Sequence, residues 1–154
     1  MISALQAKLD VQSDVSNIRP VCVLLEDPDD RHIRDPSTPD KPKRFDLVIS
    51  HLVLHHIPSL PAIFRTMHGT LKPGGQVALT DFENFAPEAR KFHPESKMEG
   101  VERHGIGRSE VEKQLKDAGF VDVKVETAFK LDKETEGGSS MEFPFLMCIG
   151  QKAA

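Results

Sequence analysis

Seven histidines and two cysteines carry most of the reactive chemistry in this chain, which has neither tyrosine nor tryptophan. His55 and His56 are adjacent. Imidazole titrates near neutral pH, so either ring suits general acid–base work. Neighbouring helical residues point about 100° apart, so the pair is not expected to serve one site, and a structural role is the expectation for both. His93 and His104 fall in an irregular stretch before the last predicted helix, where an imidazole can orient or deprotonate a nucleophile. His55, His93 and His104 are therefore the catalytic candidates. No Cys-x-x-Cys pair occurs, and no metal site is expected. Cys22 and Cys148 each sit in an apolar run, Val21–Leu25 and Phe145–Ile149, and read as small buried hydrophobes. Gly74-Gly75 is followed by no Lys-Ser/Thr and reads as a turn, not a phosphate loop. No Gly-x-Ser-x-Gly elbow occurs, which sets aside the serine hydrolases of that type.

The elements that must hold these residues follow from periodicity. Ile2, Leu5 and Leu9 recur at helical spacing from the start of the chain. Val21–Leu25 and Phe45–Ile49 are unbroken apolar-rich runs that suit strands buried on both faces. Between them, residues 26–44 carry four prolines and eleven charges of both signs, and residues 28–44 read as a solvated loop. Ser50-His51 ends the second run, and a turn or short helix follows through Pro58. Ser59 is a good N-cap for a helix to about Leu71, with Leu60, Ile63, Phe64 and Met67 on one face and Pro61 harmless in the first turn. Lys72-Pro73-Gly74-Gly75 stops it, and Gln76–Thr80 is a strand ended by Asp81. Ser109-Glu110-Val111-Glu112 has the form of a capping box opening a helix that Gly119 closes. Val121 to Phe129 alternates as a half-exposed strand near a sheet edge. Asp132–Ser140 reads as a turn and Phe143–Ile149 as the last strand, whose Pro144 requires a free side or a bulge. Strands alternating with helices predict an α/β protein, a single domain over residues 1–154, with an antiparallel pair at its C-terminal end.

Composition narrows the classes. The chain has 154 residues, 38% apolar and 29% charged, with a formal net charge of −4. A mildly acidic protein lacks the basic footprint of general nucleic-acid binding, so no nucleic-acid partner is expected. No apolar run approaches the roughly 18 residues of a membrane span, so no membrane partner is expected. No charged-then-apolar leader opens the sequence, which predicts a cytoplasmic address.

Four segments, in this order, resemble class I S-adenosylmethionine-dependent methyltransferases. Val21–Asp27 resembles that family's third strand with its acidic end. Phe45–Ser50 followed by Leu54-His55-His56-Ile57 resembles the fourth strand and the segment after it. Leu71–Asp81 resembles the turn and fifth strand, and Ala118–Val123 the join into the sixth. The resemblance implies a partial doubly wound, Rossmann-like sheet, mostly parallel with one antiparallel strand at the C-terminal end. It also implies S-adenosylmethionine as cofactor and a small-molecule substrate. Asp27, with Glu26 as second choice, occupies the position that would receive the adenine amino group. Ser50, His51 and Leu52 occupy the point that lies against the methionine part of the cofactor. In-line attack on a sulfonium needs positioning more than side-chain chemistry, so the family reading asks for no catalytic triad.

The sequence also departs from the family. No Gly-x-Gly-x-Gly occurs in the 154 residues, and Gly105-Ile106-Gly107 precedes a helix instead of following a strand. The resemblance thus implies a domain without the family's first strand, first helix and second strand. In the family order 3-2-1-4-5-7-6 those strands lie at the centre. Their loss leaves an apolar strand edge bare, for which direct pairing of the Val21 and Phe45 runs, self-association or a loosened domain is the expectation. The alternative to an active enzyme is a cofactor-poor fragment acting as a binding module or partial gene product.

Overall fold

The computed structural model describes residues 2–11, 18–35, 37–38 and 40–154. Met1 of the predicted opening helix and Pro36 and Pro39 of the predicted loop lie outside the described residues. The chain divides into two compact units, residues 1–43 and 44–154. Among the described residues no helix is long and apolar enough to cross a membrane.

In the first unit, helix α1 spans Ile2–Val11, close to the predicted extent, with Leu5 and Val11 exposed. The Val21–Leu25 run forms no strand, which corrects the expectation of a buried one. A strand exists only when a neighbour takes up its N–H and C=O groups, and every ladder among the described residues lies between Phe45 and Lys152. Leu24 is 75% exposed and Cys22 is also exposed, so the reading of Cys22 as a buried hydrophobe is overturned. Among its described residues the predicted loop holds one 3-10 turn, Arg31–Ile33, capped by the Asp30 carboxylate, which accepts from the His32 N–H. Arg19 donates to the carbonyls of Arg34 (2.7 Å) and His32 (2.9 Å), so this segment winds around one guanidinium.

The second unit is one four-stranded sheet, β1 (Phe45–His51), β2 (Leu71–Phe82), β3 (Phe120–Glu134) and β4 (Ser140–Lys152), in the order β1-β2-β4-β3. Only the β1–β2 ladder is parallel; β2–β4 and β4–β3 are antiparallel. The expectation of a mostly parallel sheet is thus corrected. Parallel neighbours need a crossover, and helix α2 (Leu60–Thr70) supplies one between β1 and β2. The five-residue turn 135–139 returns β4 directly against β3, and β4 then inserts between β3 and β2. One reversed strand placed inside the sheet creates two antiparallel ladders. β3 and β4 also run further than expected, shrinking the predicted 132–140 turn. The β2–β4 ladder ends at Phe82↔Phe145, so Pro144 lies just beyond it, where its carbonyl accepts from the Glu83 N–H at 2.8 Å.

Helix α2 starts as its sequence dictates. Ser59 Oγ accepts from the Ala62 N–H, and Leu60 and Phe64 face inward. Residues Lys72–Gly75 bulge out of the ladder between Phe45↔Leu71 and Leu47↔Gln76, and Gly74 takes the positive φ of 78° that this turn needs. Helix α3 (Arg108–Asp117) begins two residues earlier than the capping box predicts, with Gly107 as N-cap and no side-chain cap. Arg108 explains the shift. Its guanidinium is bidentate on Glu83 (3.1 Å to each oxygen) and bonds the Val125 carbonyl and Thr127 Oγ1, which anchors the first turn to the sheet.

The sheet buries its two faces unequally. Val77 and Leu79 of β2 and Leu146 and Cys148 of β4 pack against Leu60 and Phe64 of α2 and Val111 and Leu115 of α3. Alternate residues point the other way. There Phe82, Phe143 and Phe145 pack with Phe92, whereas Leu47 and Ile49 of β1 are 53% and 74% exposed. β1 is also an edge of this sheet.

Candidate functional site

Because β1 and β2 are parallel, their carboxyl ends open on the same side, and the side chains that follow them converge there. At the end of β1, His51 pairs with Thr80 in register, and its Nδ1 lies 2.6 Å from Thr80 Oγ1. Leu52 then adopts φ +54°, a left-handed conformation uncommon for a branched residue, while its N–H still donates to the Thr80 carbonyl at 2.9 Å. This reversal feeds the chain into a 3-10 turn, Leu54–His56. Ser50, His51 and Leu52 therefore lie together at one strand end.

At the end of β2, Asp81 is fully buried. An ionised carboxylate survives burial only if its oxygens are taken up. Here they accept from the Phe82 N–H (2.9 Å), the His55 N–H (3.0 Å) and His55 Nδ1 (2.8 and 2.9 Å). Asp81 thus ties the 54–56 turn to the sheet and fixes the His55 ring. From the other side, Arg103 donates to the carbonyls of Leu54 (2.6 Å), Ile57 and Pro58. The peptide N–H groups of Glu102 and Arg103 donate in turn to the His55 carbonyl. Nothing in the sequence reading singled out Asp81 beyond its ending a strand. The available signal was an acidic residue directly after a buried apolar run, a position that demands a partner.

His55 and His56, expected to diverge, are brought together, because they sit in a tight turn and not in an α-helix. Their ring centroids are 4.0 Å apart. His93, arriving at the end of the Pro87–Phe92 turn, stacks in with centroids 4.9 Å from His55 and 6.0 Å from His56. Burial, and then the electrostatic influence of His55, Lys133 and His56, push the His93 imidazole down to about 4 despite Asp81. His93 also lines an open cleft with Lys97 and Lys133. His104 is not part of this cluster. His51 and His55 have a spacing that helical zinc sites use, but His51 closes β1 and bonds Thr80 instead.

In the first unit, Asp27 caps a local turn. Its Oδ1 accepts from the Asp29 N–H at 2.8 Å and its carbonyl from the Asp30 N–H at 3.1 Å. Glu26 beside it is exposed.

A methyltransferase-domain model matches residues 8–125, and the chain belongs to the class I S-adenosylmethionine-dependent methyltransferases. Among curated proteins it is similar to phosphoethanolamine N-methyltransferase 1 of Arabidopsis thaliana, 36% identical over 83 residues. The protein of the same name from Triticum aestivum is 35% identical over 83 residues. That stretch is 53% of this chain and 16% of the length of either plant protein. Among solved structures, it is similar to Haemonchus contortus phosphoethanolamine N-methyltransferase 2 in complex with S-adenosyl-L-methionine, with a TM-score of 0.53 at 16% identity, covering 71% of this chain and 34% of that one. TehB from Haemophilus influenzae gives a TM-score of 0.55 at 16% identity, covering 96% of this chain and 46% of that one. At such identities the structural likeness speaks for the fold alone.

The residues described here do not make a whole cradle for S-adenosylmethionine. The Ser50–Leu52 end of β1 can form one wall, but β1 is the edge strand of the described sheet and the 154 residues contain no Gly-x-Gly-x-Gly. The Asp27 carboxylate already caps its own turn.

Proposed function

We propose that this chain serves S-adenosylmethionine-dependent methyl transfer to a small molecule. The observation that carries the reading is the parallel β1–β2 pair, whose carboxyl ends present Ser50, His51 and Leu52 beside Asp81 in a chain of this family. Likeness to the plant phosphoethanolamine N-methyltransferases makes an amine the first acceptor to try. On this reading Ser50, His51 and Leu52 contact the cofactor chiefly through their backbone, and Asp27 or Glu26 receives the adenine. A cytoplasmic setting and self-association along the edge of β1 belong to the same proposal.

One observation favours a second reading, a cofactor-poor module without activity: β1 ends the described sheet, and no Gly-x-Gly-x-Gly occurs to wrap a cofactor. Titration calorimetry of the full chain with S-adenosylhomocysteine separates the two. Binding at about micromolar strength supports the first. Absence of heat at about millimolar ligand overturns it in favour of the second.

A further inference from the structure

We propose that His55, His56 and His93 form a binding site for a divalent first-row transition cation of the zinc type. This inference does not rest on the methyl-transfer reading. One ring nitrogen from each histidine lies within 4.8 Å of those of the other two. A tetrahedral zinc ion with Zn–N bonds of about 2.0–2.1 Å holds its imidazole nitrogens roughly 3.3 Å apart. The three rings therefore stand near ligating distance, and small side-chain rotations close the remainder.

Second-sphere chemistry points the same way. His55 Nδ1 faces the Asp81 carboxylate at 2.8 Å. His56 Nδ1 lies 2.7 Å from the Gly100 carbonyl. Both partners can only accept, so each Nδ1 carries the proton and each Nε2 keeps its lone pair. Carboxylate and backbone carbonyl are the groups that orient metal-binding imidazoles in this way. On His55, whose side chain is 2% exposed, that Nε2 is buried without a hydrogen-bond partner. A buried polar atom left unpaired is costly, and a cation between the rings satisfies it. Asp81 supplies the buried negative charge that offsets part of the ion's own. His56 is exposed and His93 lines the cleft with Lys97 and Lys133, which gives the ion a path from solvent. Three imidazoles leave the fourth position of a tetrahedral ion open to water or to an oxygen or nitrogen donor, the arrangement of reactive sites and not of structural ones.

The test uses Co2+ as probe, with the full chain carrying Cys22→Ser so that the exposed thiol contributes nothing. One Co2+ per chain is expected, with the visible absorption of a four-coordinate site. His56→Gln and His93→Gln act on accessible positions and are each expected to weaken binding roughly tenfold or more, with circular dichroism unchanged. Asp81→Asn, which alters only the orienting shell, is expected to weaken it by about tenfold. Failure to bind one equivalent at about 100 μM, or binding that both glutamine variants leave intact, overturns the proposal. Neither result bears on the binding of S-adenosylhomocysteine.

Discussion

Two stretches of this chain look alike on paper and behave as opposites. Val21–Leu25 and Phe145–Ile149 are both uninterrupted apolar runs of five residues, each holding one of the two cysteines. The second is the interior of β4, paired on both sides by β2 and β3, with Phe145, Leu146 and Cys148 out of solvent. The first forms no strand, and its Leu24 and Cys22 face water. Apolar composition sets how much a segment gains from burial. Whether it becomes a strand depends on neighbours that accept its backbone groups.

The contrast is most open to attack through the thiols. Burial, and then Asp81, push the Cys148 thiol up to about 12 against the opposing pull of Arg108. A maleimide at neutral pH is expected to label Cys22 at least about a thousandfold faster than Cys148 in the native chain. Equal labelling would dissolve the comparison. The same shift has a stability consequence. A thiol whose pKa is raised by folding keeps its proton in the native state while the unfolded chain loses it, so stability is intact below about pH 9 and falls as pH climbs toward 12. Replacing Cys148 with Ala should flatten that alkaline slope relative to Cys22→Ala.

Truncation comes next. Phe145→Ala should cost about 3–5 kcal/mol in denaturant unfolding, whereas Leu24→Ala should stay within about 0.5 kcal/mol. Similar losses at both positions would mean that the first run is packed after all.

A smaller effect tests what holds the irregular stretch against the strand ends. Gly105 has φ +88°, and a Cβ there would meet Asn84 N and the Phe82 carbonyl at 2.8 Å each. Gly105→Ala should destabilise by about 2 kcal/mol, read as a lowered unfolding midpoint. An unchanged midpoint would show that the 82–84 and 104–106 segments are not held this close.

The mildest test compares two serines. Ser59→Ala removes a working helix cap and should cost about 1 kcal/mol, while Ser109→Ala should cost next to nothing, because α3 begins without it. Equal losses at the two serines would restore the capping box.

Ser59, Pro61 and the Lys72–Gly75 stop were legible because capping and chain reversal are decided within a few residues. So was the Gln76–Thr80 strand, an apolar-rich run between a glycine turn and Asp81. Ser109 misled because a local capping signal lost to a distant ion pair between Arg108 and Glu83, invisible to any short window. The reversed strand β4 was read locally as a strand, whereas its place between β2 and β3 came only with the family order, since order within a sheet leaves no local mark. At the candidate site the strand-end residues were found by likeness to the family. The histidine cluster was missed for a geometric reason. Helical spacing separates His55 from His56, whereas a 3-10 turn preceded by a left-handed Leu52 brings their rings together, and His93 arrives from a separate turn.

Arg103 gathers three carbonyls from residues 54–58 around one guanidinium, while Asp81 grips the same short turn from the sheet. A segment clamped from both ends cannot fray by itself. Its amide protons should therefore exchange with deuterium at the pace of the central strands, so that a stretch with the outward look of a connecting bend shares the lifetime of the sheet it adjoins.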